Sequence, residues 1–148
     1  MKVLFICRSN AERSQVAAAF FNRLSKRNKA VSAGTSVEQE NAVGQPAGRI
    51  VTELMLDIGY DLKKEKRKQL TPKLAKSADI IVVTLSDSDI EERLPNYVKH
   101  SQKTRFWDLK FNPPRHVYTQ FPPSTYDHHI ELVVRIENNV KKLVKEMG

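Results

Sequence analysis

Val3-Leu4-Phe5-Ile6-Cys7-Arg8-Ser9-Asn10-Ala11-Glu12-Arg13-Ser14 is the stretch from which the rest of the chain is read. A compact apolar run ends at Ile6, and an Ala-rich segment of good helix formers, Gln15 to Leu24, follows Ser14. The order is strand, tight loop, helix. A loop that enters a helix aims backbone N–H groups at whatever sits in its bowl, and the helix dipole adds positive potential there. Such a bowl binds an oxyanion and favours the thiolate of a cysteine at its base. Arg13 adds a planar fork with two parallel hydrogen bonds to offer a tetrahedral oxyanion. Cys7 is then placed to attack the phosphorus or arsenic held there. The competing reading of Cys7 is a buried, inert thiol.

Outward from this stretch, strands and helices alternate. The first strand is Lys2 to Ile6, and its continuous apolar character predicts a parallel strand buried on both faces. The first helix is expected over Arg13 to Lys26, with Val16, Phe20 and Leu24 at helical spacing. Ala30 to Ala33 reads as a second strand that Gly34 turns away. Pro46 suits the first turn of a helix whose apolar face is Ile50, Val51, Leu54, Met55 and Ile58, ended by Gly59. Lys63 to Lys68 is a basic run, read as a solvated connector, with a docking surface near the bowl as the alternative. Thr71-Pro72 predicts a cap and first turn for a helix through Ser77. Asp79 to Leu85 is the third strand, Ser86 to Asp89 caps a short helix through Arg93, and Thr104 to Trp107 is the fourth strand. Lys110 to Pro123 holds four prolines and reads as loop. The last helix starts near Thr125 or Asp127 and buries Val133, Ile136, Val140, Leu143 and Val144.

This alternation implies an α/β fold: a parallel sheet with right-handed crossovers and helices on both faces, most economically with four strands. At 148 residues the chain is expected to be a single domain, residues 1–148, long enough for a sizeable core. No apolar run approaches the ~18 residues of a membrane span, and Val3 to Ile6 is too short for a secretory signal. One cysteine excludes an internal disulfide framework and a Cys-only metal site within one chain, and it fits a reducing cytoplasm. The formal net charge of +8 suits an anionic substrate or partner. No basic platform interleaved with aromatics favours nucleic acid. No cofactor is called for, and oligomeric state is left open.

The Cys7-x5-Arg13-Ser14 pattern after an N-terminal strand resembles the low-molecular-weight protein-tyrosine phosphatase family, which includes thioredoxin-coupled arsenate reductases. Ser32-Ala33-Gly34-Thr35, Gly59-Tyr60-Asp61, Gln69-Leu70-Thr71, Ala78 to Thr84, Trp107-Asp108 and Asn112-Pro113 resemble further family segments in order, out to about Arg135. The resemblance implies a three-layer αβα fold with strand order 2-1-3-4 and a phosphotyrosine phosphatase I-like arrangement. It implies Cys7 as nucleophile, Arg13 as the phosphoryl-binding side chain, and the backbone amides of Arg8, Ser9, Asn10, Ala11, Glu12, Arg13 and Ser14 as the cradle. Ser14 would bond the sulfur and help the thiolate leave, and Asn10 would prop the loop. Arg135 reads as structural.

Three positions depart from the family pattern: Asn112, Glu12 and Ser9, the loop's third residue, where the family usually carries Gly or Ala. Its proton-donating aspartate precedes a proline in the loop after the fourth strand, and Asn112-Pro113 is the match here. An amide cannot serve as that acid. Asp108 is the candidate substitute, a structural carboxylate is the competing reading for it, and His116 is a further titratable group. Where Glu12 stands the family often carries Cys or Gly, and a carboxylate there either opposes the thiolate and the incoming dianion or points to solvent. Tyr118, Phe121 and Tyr126 are candidates for a cleft mouth that takes a phosphotyrosine ring, or else loop anchors. His128 and His129 are adjacent on a helix, share no face, and are read as surface residues. Three functions follow. A phosphatase acting through a cysteinyl-phosphate leads. A catalytically weak phosphate- or phosphoprotein-binding domain is second. An arsenate reductase is third, and it would rely on an external thiol because Thr84 to Asp89 carries no second cysteine.

Overall fold

Four apolar residues without interruption make β1 (Lys2–Cys7) the central strand, and Val3 to Ile6 are fully buried. The computed structural model describes residues 1–109 and 125–148. In chain order β1 is followed by α1 (Arg13–Leu24), β2 (Lys29–Gly34), α2 (Arg49–Asp57), α3 (Pro72–Ser77), β3 (Ile80–Val83), α4 (Asp87–Arg93), α5 (Asn96–Lys99), β4 (Thr104–Phe106) and α6 (Thr125–Met147). The sheet order is β2-β1-β3-β4, and every pairing is parallel.

Alternate residues of β1 serve two cores, as the two-residue period of a strand requires. Val3 and Phe5 pack with Val16, Phe20 and Phe21 of α1, Val51 and Met55 of α2, and Ile136 and Val140 of α6. Leu4 and Ile6 face the other way, against Ala75 of α3, Leu94 and Val98. Helices on both faces of the sheet give the expected three layers.

Element ends differ from expectation for local reasons. α1 stops at Leu24 because Ser25 is extended, and the Ser25 N–H closes the last turn on Phe21. Pro46 lies outside α2. It sits in a bridge with Lys66, its carbonyl accepts from the Arg67 guanidinium at 3.0 Å, and Gly48 caps the helix instead. Gly59 has a φ of +92°, which suits the residue that ends the α2 segment. Thr71 and Ser86 cap α3 and α4 through their hydroxyls, as the sequence indicates. β3 is shorter than Asp79 to Leu85, and β4 ends at Phe106. The short α5 after Pro95 has no forecast in the sequence reading. Val144 of α6 is only partly buried, whereas Leu132 joins the core. Among the described residues no helix is long and apolar enough to cross a membrane.

Candidate active site

Three carboxyl-terminal strand ends converge on the loop after β1. Thr35 N–H donates to the Cys7 carbonyl at 3.0 Å, Ser36 N–H to the Arg8 carbonyl at 2.9 Å, and Thr84 N–H to the Ile6 carbonyl at 2.9 Å. The loop lies where β2 and β3 flank the central strand, the crevice in which open α/β sheets bind ligands. Gly34 makes this approach possible. A Cβ there would stand 2.6 Å from the Arg8 carbonyl oxygen and 2.8 Å from the Asn10 nitrogen, and both are backbone atoms.

Asn10 holds the loop from inside. It is fully buried and adopts a left-handed φ of +51°, a conformation asparagine tolerates better than most residues. Its Nδ2 donates to Ser14 Oγ at 2.7 Å, and its Oδ1 accepts from the Lys68 N–H at 2.8 Å and Gln15 Nε2 at 3.2 Å. Gln15, itself buried, also donates to the Asn10 and Lys66 carbonyls. The basic run therefore differs from a simple connector. Lys63, Lys64, Lys66 and Lys68 expose their side chains, but the backbone at Lys66 and Lys68 braces the bowl.

The sulfur of Cys7 lies at the base. It is 2.9 Å from Ser14 Oγ and accepts from the Asn10 N–H at 3.2 Å. Because Ser14 Oγ already accepts from Asn10, its own proton is free to point at the sulfur. Two donors thus converge on one sulfur. Arg13, Ser14 and Gln15 open α1, so their N–H groups have no intrahelical acceptor and face the bowl with the positive end of the dipole. Arg13 Nη1 reaches the Thr84 carbonyl at 3.4 Å, which ties its guanidinium to the end of β3. Cys7 is 4% exposed and lines the cleft over this loop, so its side chain is covered but not sealed.

A cleft of about 460 Å³ opens over this loop. Cys7, Arg8, Ser9, Ala11, Glu12 and Arg13 form one wall, and Asp89 of α4 with His128, His129 and Leu132 of α6 form the other. Asp89 pairs with Arg93 at 3.1 Å, and the Ser9 hydroxyl donates to Glu40 at 3.0 Å. The expectation of two surface histidines is corrected for His129. It is 8% exposed, and its Nε2 lies 2.6 Å from Glu12 Oε2. Glu12 therefore has a partner on the last helix. The carboxylate at that loop position was the available signal, because a charge beside an anion site needs one. Asp89 carried no comparable mark in the sequence.

Asp108 follows β4, is exposed, and is not among the described residues that line this cleft. Asn112, His116, Tyr118, Phe121 and the side chain of Tyr126 lie outside the described residues. Arg135 pairs with Glu131 at 3.4 Å along α6. Among the described residues no group of three His, Cys, Asp or Glu side chains is arranged to hold a metal.

The family model described as "Low molecular weight phosphotyrosine protein phosphatase" matches residues 2–148. Among solved structures, Vibrio vulnificus Wzb in complex with benzylphosphonate superposes with a TM-score of 0.81 at 20% identity, covering 98% of this chain and 97% of that one. The tyrosine phosphatase Wzb from Escherichia coli K30, in complex with sulphate, gives 0.75 at 22% identity, with 99% and 98% covered. A thioredoxin-dependent arsenate reductase from Corynebacterium glutamicum gives 0.69 at 20% identity, with 98% of this chain and 60% of that one covered. At these identities the structural likeness speaks to the fold alone. Among curated proteins no match was found.

Proposed function

The chain belongs to the low molecular weight phosphotyrosine protein phosphatase family, whose activity is cysteine-based hydrolysis of phosphate monoesters, and we propose that Cys7 is the nucleophile of that reaction here. The observation that carries this reading is the pair of donors on its sulfur, Asn10 N–H and Ser14 Oγ–H, beneath a loop whose amides open α1. The phosphoryl group of a phosphotyrosine-type monoester sits in the amide cradle of residues 8–14, with Arg13 along its equatorial oxygens. The thiolate attacks phosphorus in line, the ester P–O bond breaks, and the departing oxygen takes a proton from solvent water. Water then attacks the cysteinyl-phosphate, inorganic phosphate leaves, and the sulfur recovers its electron pair under the Ser14 hydrogen bond. A reducing, cytoplasmic setting suits a lone catalytic thiol.

The test is steady-state hydrolysis of p-nitrophenyl phosphate, with Cys7→Ser as control. Turnover that vanishes with the sulfur supports the assignment, and turnover that survives the substitution refutes it. A second reading, a phosphate-binding domain of low turnover, is favoured by one observation. Residues 110–124 contain no Asp or Glu, so the segment that resembles the family's acid loop through Asn112-Pro113 supplies no carboxylic acid. Binding of inorganic phosphate without turnover would select it. A reductase role requires an external thiol to resolve a Cys7 adduct, and arsenite release that depends on glutathione would reveal it.

A further inference from the structure

The Glu12–His129 contact lies outside the machinery assigned so far. Glu12 directly precedes Arg13 and lines the same cleft as Cys7. A free carboxylate there competes with the incoming anion for the Arg13 and Arg8 guanidinium groups and repels the dianion itself. Its position is nevertheless constrained from two sides. Its Cγ packs on the α2 cap, where a Cβ at Gly48 would come within 3.2 Å of it, and Gly48 N–H donates to the neighbouring Ala11 carbonyl at 2.8 Å. Its Oε2 meets His129 Nε2 at 2.6 Å, and the imidazole is mostly buried, with its side chain 11% exposed.

We propose that His129 is a positioning residue for anion binding: it donates Nε2–H to Glu12, draws the carboxylate toward α6 and so sets the affinity of the bowl for the phosphoryl group. The inference rests on the reading of residues 8–14 as an oxyanion site. It explains how the chain keeps a carboxylate in an anion-binding loop. The donation needs only the Nε2 proton, so it operates with the ring neutral and gains further attraction with the ring charged.

The test is calorimetric titration of the intact protein with inorganic phosphate, which requires no turnover. His129→Leu removes the donor at similar bulk and is expected to weaken phosphate binding roughly five- to twenty-fold, the scale of one partly exposed, uncompensated charge. Glu12→Gln in the same chain is expected to restore most of that loss. His129→Gln, which keeps a donor, stays close to the parent and serves where the leucine variant folds poorly. The deficit of His129→Leu shrinks at high salt because Glu12 is part-exposed and screened. A pair that merely staples the loop would leave the double variant as weak as the single one. That result, or unchanged binding in His129→Leu, overturns the proposal. A parent protein that binds no phosphate overturns the oxyanion-site reading itself, and this inference falls with it.

Discussion

Asn10 offers the sharpest test of how the loop is built, because its substitution leaves the sulfur and both arginines in place. Asn10→Ala removes three side-chain hydrogen bonds, to Ser14, Lys68 and Gln15. Gln15 keeps other acceptors, but the Lys68 N–H loses the acceptor it has here. Three bonds at a net value of about 1 kcal/mol each, with a further ~1 kcal/mol for alanine at positive φ, predict a loss of about 4 kcal/mol. For a chain of this size that lowers the melting temperature by roughly 8–16 °C. Asn10→Gly removes the same bonds without the conformational penalty, and recovers about 1 kcal/mol. Both variants leave the Ser14 hydroxyl without the donor that orients its proton. Weakening one hydrogen bond to a charged sulfur by about 1.5–3 kcal/mol lowers kcat/KM roughly 10- to 100-fold. Urea denaturation with an unchanged m-value measures the first effect, and p-nitrophenyl phosphate hydrolysis the second. A loss below about 1 kcal/mol with near-parental kcat/KM would refute the bracing role of Asn10.

Gly34→Ala places a Cβ against two backbone atoms of the loop. It is expected to displace the cradle and cost on the order of 10²-fold in kcat/KM while far-ultraviolet circular dichroism stays unchanged, and near-parental activity would show that the approach is looser than described. Asn112→Asp supplies the carboxyl that residues 110–124 lack. It should raise kcat on alkyl phosphates by up to ~10²–10⁴-fold and on p-nitrophenyl phosphate by much less, since a good leaving group needs little protonation. Equal gains on both substrates would sink the assignment of that position. Asp108→Asn separates its two readings. A larger rate loss on alkyl than on p-nitrophenyl phosphate marks an acid, and equal rates mark a structural carboxylate.

Much of the fold is legible in local pattern. The uninterrupted apolar run at Val3 to Ile6 marks a strand covered on both faces, and Thr71-Pro72 and Ser86 mark helix starts because capping chemistry is local. Pro46 misled for the same reason: its fixed φ suits a first turn, but its carbonyl is held by Arg67, a partner that only the tertiary structure supplies. The core of the site, Cys7, Arg13, Ser14 and Asn10, is legible because all four lie within eight consecutive residues. What brings Lys68 and His129 to that loop is long-range. One contributes a backbone N–H that carries no residue signature, and the other arrives on α6, more than a hundred positions along the chain. Pairings of this kind depend on crossovers that close only when the sheet forms.

The central claim is that Cys7 carries the phosphoryl group between two halves of a reaction. Mixing the protein with p-nitrophenyl phosphate, quenching in acid within the first turnover and recording intact mass and ³¹P resonance tests it directly. The account predicts one added phosphoryl group bound to sulfur, formed together with p-nitrophenol and absent in Cys7→Ser. Steady release of phosphate with an unmodified Cys7 at every quench time, or an adduct that persists in Cys7→Ser, would contradict it.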